Sequence, residues 1–185
     1  MHFRTLGVSI FALGLAACGG QDEPAPAAPT PAPEDVVELI AHVDVSGAAL
    51  GEVVQASEAV EVTVSSDGVL LSGSVDEALT SGGMTGGAHL EIGAATGGHL
   101  TGQVVTVNFT ARTMGGEPAR MAAAYSTHAI GNSGWQYFDL SEEFQDFSFE
   151  YAVPEGVDPN PDYLGFWPIR ETSVELASVS ISTTE

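Results

Sequence analysis

Lysine is absent from the 185-residue chain, and four arginines stand against 25 Asp and Glu residues, a formal net charge of −21. That shortage excludes two classes of function. Binding of DNA or RNA draws its affinity from cationic side chains that displace counterions from phosphates, and this chain has almost none to offer. P-loop nucleotide binding and Schiff-base catalysis each need a lysine. Cysteine occurs once, at Cys18, so neither an intramolecular disulfide nor a cysteine-rich zinc site is available, and the fold must rest on its own apolar core. The apolar run Leu6 to Ala16 is eleven residues long, too short to cross a bilayer as a helix. The length suits one ordinary domain.

The N-terminus has the layout of an export signal: Arg4 supplies the positive region and Leu6 to Ala16 the apolar one. It ends Leu15-Ala16-Ala17-Cys18-Gly19, which resembles the bacterial lipobox. The resemblance implies that residues 1–17 are removed and that Cys18 carries a diacylglyceryl thioether and an N-acyl chain such as palmitate. Two or three acyl chains anchor stably where one does not. An ordinary secretory signal with an incidental cysteine is the alternative. Cleavage leaves three arginines against 25 carboxylates, a formal charge of −22, which an anionic headgroup surface repels; the lipid must then hold the protein to the membrane. In lipoproteins of this type an Asp after the cysteine favours the inner membrane. Gly19 stands there, so the resemblance implies the cell envelope and its outer membrane.

Residues 18–35 contain half of the ten prolines, Pro24, Pro26, Pro29, Pro31 and Pro33, separated by Ala and Thr. Such a segment favours polyproline II at about 3.1 Å per residue and reads as a disordered stalk of roughly 50 Å. Residues 36–185 form the expected domain. There a period of two dominates, and no window of helical length keeps apolar residues at i, i+3, i+4 and i+7. Val60, Val62 and Val64 alternate with polar residues; Ser66-Asp67-Gly68 then turns the chain into Val69 to Val75, a hairpin. Ser81 to Gly102 holds eight glycines and two similar pieces, Thr85 to Leu90 and Thr96 to Leu100, expected to be two strand ends joined through glycine turns. Further strands are expected at Gln103 to Arg112, with Val105, Val107, Phe109 and Ala111 inward, and at Arg120 to Thr127, Trp135 to Leu140, Phe147 to Tyr151, Tyr163 to Pro168 and Ser173 to Ser182. Roughly nine or ten short strands punctuated by Gly, Pro and Asn predict an all-β fold, a single antiparallel β-sandwich or jelly roll.

The order Val105 to Arg112, Gly134-Trp135 with Phe138 and Leu140, Phe144 to Tyr151 leading into Val153-Pro154, Leu164-Gly165-Phe166-Trp167-Pro168 and Val174 to Ile181 resembles the galactose-binding-like jelly rolls, among them the carbohydrate-binding modules of polysaccharide-degrading enzymes. The match covers about 80 residues. It implies that Trp135 is the family's buried tryptophan, and that Trp167 and Tyr163 are candidate stacking platforms, since sugar C–H bonds meet the negative ring face. Asn108, Arg112 and Arg120 are candidate polar contacts to hydroxyls. Packing is the competing role for the two rings, and charge balance for the two arginines. In that family the last strand often carries Asp residues, one of which helps bind a structural calcium. Ala177 and Ser178 stand at those places, and neither can act as a carboxylate ligand, so no cofactor is expected.

Asp158, Asn160 and Asp162 imitate the opening of a calcium-binding EF-hand loop, yet Tyr163 and Ile169 stand where that loop needs Gly and a bidentate Glu. His42, His89, His99 and His128 lack zinc-ligand spacing, although a hairpin would bring His89 and His99 together. Gly131-Asn132-Ser133-Gly134 is not a serine-hydrolase elbow, and an acidic chain supplies no means of choosing one carboxylate pair for glycoside hydrolysis. The sequence thus points to a non-enzymatic, membrane-anchored extracytoplasmic binding module for a polysaccharide. The alternative is a structural or assembly lipoprotein whose sandwich docks onto an envelope protein, and a hydrolase with an unrecognised carboxylate site stands third.

Overall fold

The computed structural model describes residues 39–74, 86–116, 118–156, 158–170 and 172–184. The expected signal peptide, Cys18, the stalk, Val75 and the start of the glycine-rich stretch at residues 81–85 lie outside them. Eleven strands are described: β1 (Leu39–Ser46), β2 (Val54–Gln55), β3 (Val60–Val64), β4 (Val69–Gly73), β5 (Ala88–Ile92), β6 (Val104–Met114), β7 (Ala119–Ser126), β8 (Gln136–Leu140), β9 (Gln145–Ala152), β10 (Asp162–Pro168) and β11 (Thr172–Thr184). They form two antiparallel sheets. One has the order β3-β4-β11-β6-β9, with β1 added on β11; the other has the order β2-β5-β10-β7-β8.

The expected alternation holds in β6. Val105, Val107, Phe109 and Ala111 are buried, while Thr106, Asn108, Thr110 and Arg112 on the other face are only partly covered. Phe149 is buried and Phe147 packs against the same cluster. Phe109 joins the layers: its ring meets Phe147 of the neighbouring strand at 5.3 Å, and Phe138 and Phe166 of the opposite sheet at 4.9 and 5.6 Å. Burying each such side chain contributes about 1.5–3 kcal/mol.

Sequence periodicity missed the helical segments. Gly47–Ala49 is a 3-10 turn, α1 (Leu50–Val53) follows it, and α2 spans Ala94–Leu100. The second Thr-Gly-Gly piece is therefore not a strand end. Ala94 and Ala95, strong helix formers, precede it, and a helical turn carries Leu100 into the core. These helices are too short for a 3.6-residue period to register. Gly97 faces the carboxyl of Asp162, and a Cβ there would lie 2.9 Å from Cγ.

Strand β11 bulges between Leu176 and Ser178 against β6, where the jelly-roll resemblance sets the calcium ligands. Here the bulge packs against the β3–β4 turn instead. Ser65 closes that turn through its N–H to the Gly68 carbonyl at 2.9 Å and its Oγ, which accepts the Gly68 N–H at 3.0 Å. A Cβ on Gly68 would collide with the Leu176 carbonyl oxygen and come within 2.9 Å of Ala177 Cα. We expect Gly68→Ala to destabilise the fold by about 1–3 kcal/mol through overpacking against backbone, as a lower denaturant midpoint with unchanged slope.

A carboxyl of β10 is buried beside a core tyrosine. Asp162, 6% exposed, accepts the Tyr125 hydroxyl on Oδ2 at 2.8 Å. Burial pushes its carboxyl above the usual range, an effect the Tyr125 bond opposes and the nearby Asp158 charge reinforces. Tyr125 is raised too, first by burial and then by Asp162, and stays a neutral donor. A carboxyl whose folded pKa exceeds its unfolded value contributes stability when protonated, and loses that contribution as pH rises from near 3.8 through the folded value. The melting temperature of Asp162→Asn minus that of the wild type should therefore increase between pH 4 and pH 7; a flat or falling difference would contradict the assignment.

Candidate functional site

Strand β10 runs through the middle of the five-stranded sheet, between β5 and β7. Leu164 and Phe166 are fully buried in the core, so the alternation of a strand sends Tyr163, Gly165 and Trp167 to the outer face. Register then fixes their neighbours. Tyr163 lies between Glu91 and Ser126, Gly165 between His89 and Ala124, and Trp167 beside Ala122, which in turn pairs with Tyr137. Gln55 pairs with His89 at the β2 edge. The middle of this face thus consists of small residues, Gly165, Ala122, Ala124 and Ser126, all four buried, with rings at its ends. Tyr163 and Trp167 stand four positions apart, about 13 Å along the strand.

The rings are ordered by one another. His89 meets Tyr163 edge to face at 5.6 Å. Trp167 is 3% exposed and stacks on Trp135 at 4.3 Å with 10° between the planes. Trp135 is half-buried, so it is the more accessible ring of the pair. The expectation that Trp135 is a core residue is corrected. Position 135 precedes β8, in a turn where Gly134 has φ 67°, and its ring is laid over Trp167 rather than between the sheets. The Trp167 Nε1–H is buried and has no acceptor among the described residues. Tyr137 is 48% exposed.

The five candidate contacts do not form one group. Tyr163 and Trp167 share the face just described, and Arg120 lies on β7 of the same sheet, where its Nε donates to Asp139 Oδ1 at 2.7 Å. That bond holds the Asp139 carboxyl below its usual range. Asn108 and Arg112 belong to β6 in the other sheet, on its outer face, Asn108 among Ser148, Ser178 and Ser180 and Arg112 opposite Glu175. Arg112 is committed to structure. Its Nε donates to the buried Glu175 at 2.7 Å, Asp67 lies 3.6 Å from its terminal nitrogen, and the Phe144 ring covers the guanidinium at 4.2 Å. Arg112 thus lies on a different sheet from Tyr163 and Trp167.

At the end of the sandwich where the α2, β7–β8 and β9–β10 connections converge, Asp158 and Asn160 line a groove of 470 Å³ with Asp162. The Asp158 carboxylate is occupied locally. It accepts the Asn160 N–H at 2.9 Å and side-chain amide at 2.6 Å and the Ala129 N–H at 3.2 Å, with His128 Nδ1 at 3.4 Å. These bonds, that from the Asn160 backbone first, hold it below the carboxylate range. The arrangement is an Asx turn, with Asp162 turned toward Tyr125. His42 bonds Thr183 Oγ1 at 2.9 Å, while His89 belongs to the outer sheet face and His99 to the last turn of α2. Among the described residues no group of three His, Cys, Asp or Glu side chains is placed to hold a metal.

Sequence reasoning overlooked His89, Tyr137, Gln55 and Glu91 on the outer face. For Tyr137 the signal was available, because Phe138 and Leu140 point inward and so put Tyr137 out. His89 and Gln55 depend on strand pairing, which the sequence does not display.

No family model matches the chain, and no curated protein matches it in sequence. Solved structures do match. The xylan-binding domain CBM22-1 of Paenibacillus barcinonensis Xyn10C aligns at 14% identity over 79% of this chain and 96% of that domain, with a TM-score of 0.55. The tandem CBM22-1–CBM22-2 of Xyn10C from the same organism aligns at 13% identity over 82% of this chain and 47% of the tandem, with a TM-score of 0.57. At such identity the likeness concerns the fold: this chain has the β-sandwich fold of carbohydrate-binding modules, and both neighbours are binding modules rather than catalytic domains.

Proposed function

We propose that this protein is a non-catalytic carbohydrate-binding module, that a saccharide lies along the outer face of the five-stranded sheet, and that a lipid on Cys18 holds the module at the outer membrane. The observation that carries the reading is the register of β10. It sets Tyr163 and the Trp167–Trp135 stack at opposite ends of one face, on which Tyr163, Trp135 and Tyr137 of the neighbouring strand are the accessible rings and the small residues between them are covered. A chain of pyranoses presents an apolar C–H face and a rim of hydroxyls. The rings match the first, and the exposed Gln55 and Glu91 supply donors and acceptors for the second. The fold shared with a xylan-binding domain supports the same ligand class. Docking onto an envelope protein finds less support, because among the described residues the exposed apolar side chains do not all share one place: Val104 and Met114, for instance, mark opposite ends of β6.

Two measurements test this. On a glycan array, Tyr163→Ala and Trp135→Ala should each weaken binding about tenfold, the loss expected for one stacked ring, whereas Ser148→Ala on the opposite sheet should bind as the wild type does. Equal losses in all three, or none in the ring variants, would remove the saccharide from this face. In a bacterial host that processes lipoproteins, the protein should fractionate with outer membranes, and Cys18→Ser should release it to the soluble fraction. Soluble wild-type protein would dispose of the anchor.

A further inference from the structure

The scarcest resource in this chain is positive charge, and its placement is uneven. Of the three arginines beyond the N-terminal region, Arg112 is bound to Glu175 and Asp67. Arg120 and Arg170 line one groove of 440 Å³ with Pro118, Ala119, Tyr137 and Asp139. The two are brought together by backbone, since the Ile169 N–H donates to the Arg120 carbonyl at 2.9 Å and Arg170 follows directly. Arg120 holds Asp139, but Arg170 is exposed and makes no ion pair among the described residues, in a protein with 25 carboxylates. Its backbone φ is 64°, a left-handed conformation that costs a non-glycine residue energy and tends to persist where function requires it.

Tyr137 links this groove to the outer sheet face. It pairs across β7 with Ala122, and Ala122 with Trp167, so the groove continues the row of rings beyond the tryptophan stack. We propose that it takes an acidic pyranose: the ring of the sugar lies against Tyr137, and its carboxylate or sulfate group is gripped by the Arg170 fork with Arg120 beside it. A planar guanidinium matches two oxygens of such a group at once. Asp139 lines the same groove, where its charge is offset by Arg120, and carboxylates farther away count for less, because at physiological ionic strength charges beyond about 8 Å are largely screened. This assignment rests on the saccharide reading of the sheet face and names its substrate class.

Affinity electrophoresis of the full chain separates the two claims. The gels contain a neutral β-glucan, a neutral arabinoxylan, polygalacturonate or a sulfated galactan. Retention by an acidic polysaccharide is expected, with an affinity that falls about tenfold or more in Arg170→Asn and less in Arg170→Lys, which keeps the charge and loses the fork. Asparagine tolerates the left-handed backbone, so an unchanged melting temperature in Arg170→Asn assigns the loss to the side chain. Retention by polygalacturonate alone identifies a carboxylate, and by the sulfated galactan alone a sulfate ester. Retention by the neutral gels only, or acidic-gel retention indifferent to Arg170→Asn, overturns the acidic subsite and leaves the sheet-face reading standing. Retention by none of the four overturns both.

Discussion

The register of β10 between β5 and β7 is the constraint on which the candidate site depends. A slip of one residue would turn Tyr163, Gly165 and Trp167 inward and put Leu164 and Phe166 into water. What forbids it is the core: Phe166 packs against Phe109, and Phe109 in turn against rings on both layers. The position of the outward rings is thus a by-product of inward packing. The sheet face inherits the rigidity of the sandwich, and a stacking surface needs that rigidity, because a ring held in place loses little freedom when a ligand arrives.

The polar groups obey a different economy. With so few cations, the carboxylates drawn into the structure are satisfied by neutral donors or by the rare arginine. Asp162 takes a tyrosine hydroxyl, Asp158 takes amide N–H groups, and Glu175 takes Arg112. The Glu175–Arg112 pair sits across neighbouring strands in register, which removes Arg112 from any ligand while closing the outer face of the six-stranded sheet near the β3–β4 turn. Side chains of one type therefore play opposed parts, and their surroundings decide which.

The strands were legible in the sequence wherever one face is apolar and the other polar, as in β3, β6 and β9, because burial writes a period of two. The jelly-roll arrangement was legible through the order of the later strands. Strand β7 was harder: Ala122, Ala124 and Ser126 are as buried as Met121 and Tyr125, so no polar face marks its outside. The short helices left no periodic trace. Trp135 misled because a ring beside a strand looks the same in sequence whether it enters the core or folds back over a neighbour. Asn108 and Arg112 share with Tyr163 only the property of facing outward, and two sheets have two outsides. Assigning side chains to the same outside takes knowledge of strand order, which arises from contacts between residues far apart in the chain.

Strand β11 pairs with β6 along its length, with β4 over its first half and with β1 over its second. It is the last element of the fold in chain order and also its keystone. Until Thr172–Thr184 has been synthesised, β1, the β3–β4 hairpin and the β6–β9 pair have no common partner, and the contacts that unite them all span long loops. A polypeptide wired in this way stays open until its end emerges. A ribosome stalled anywhere before Thr172 would leave fragments for proteases instead of a smaller sandwich.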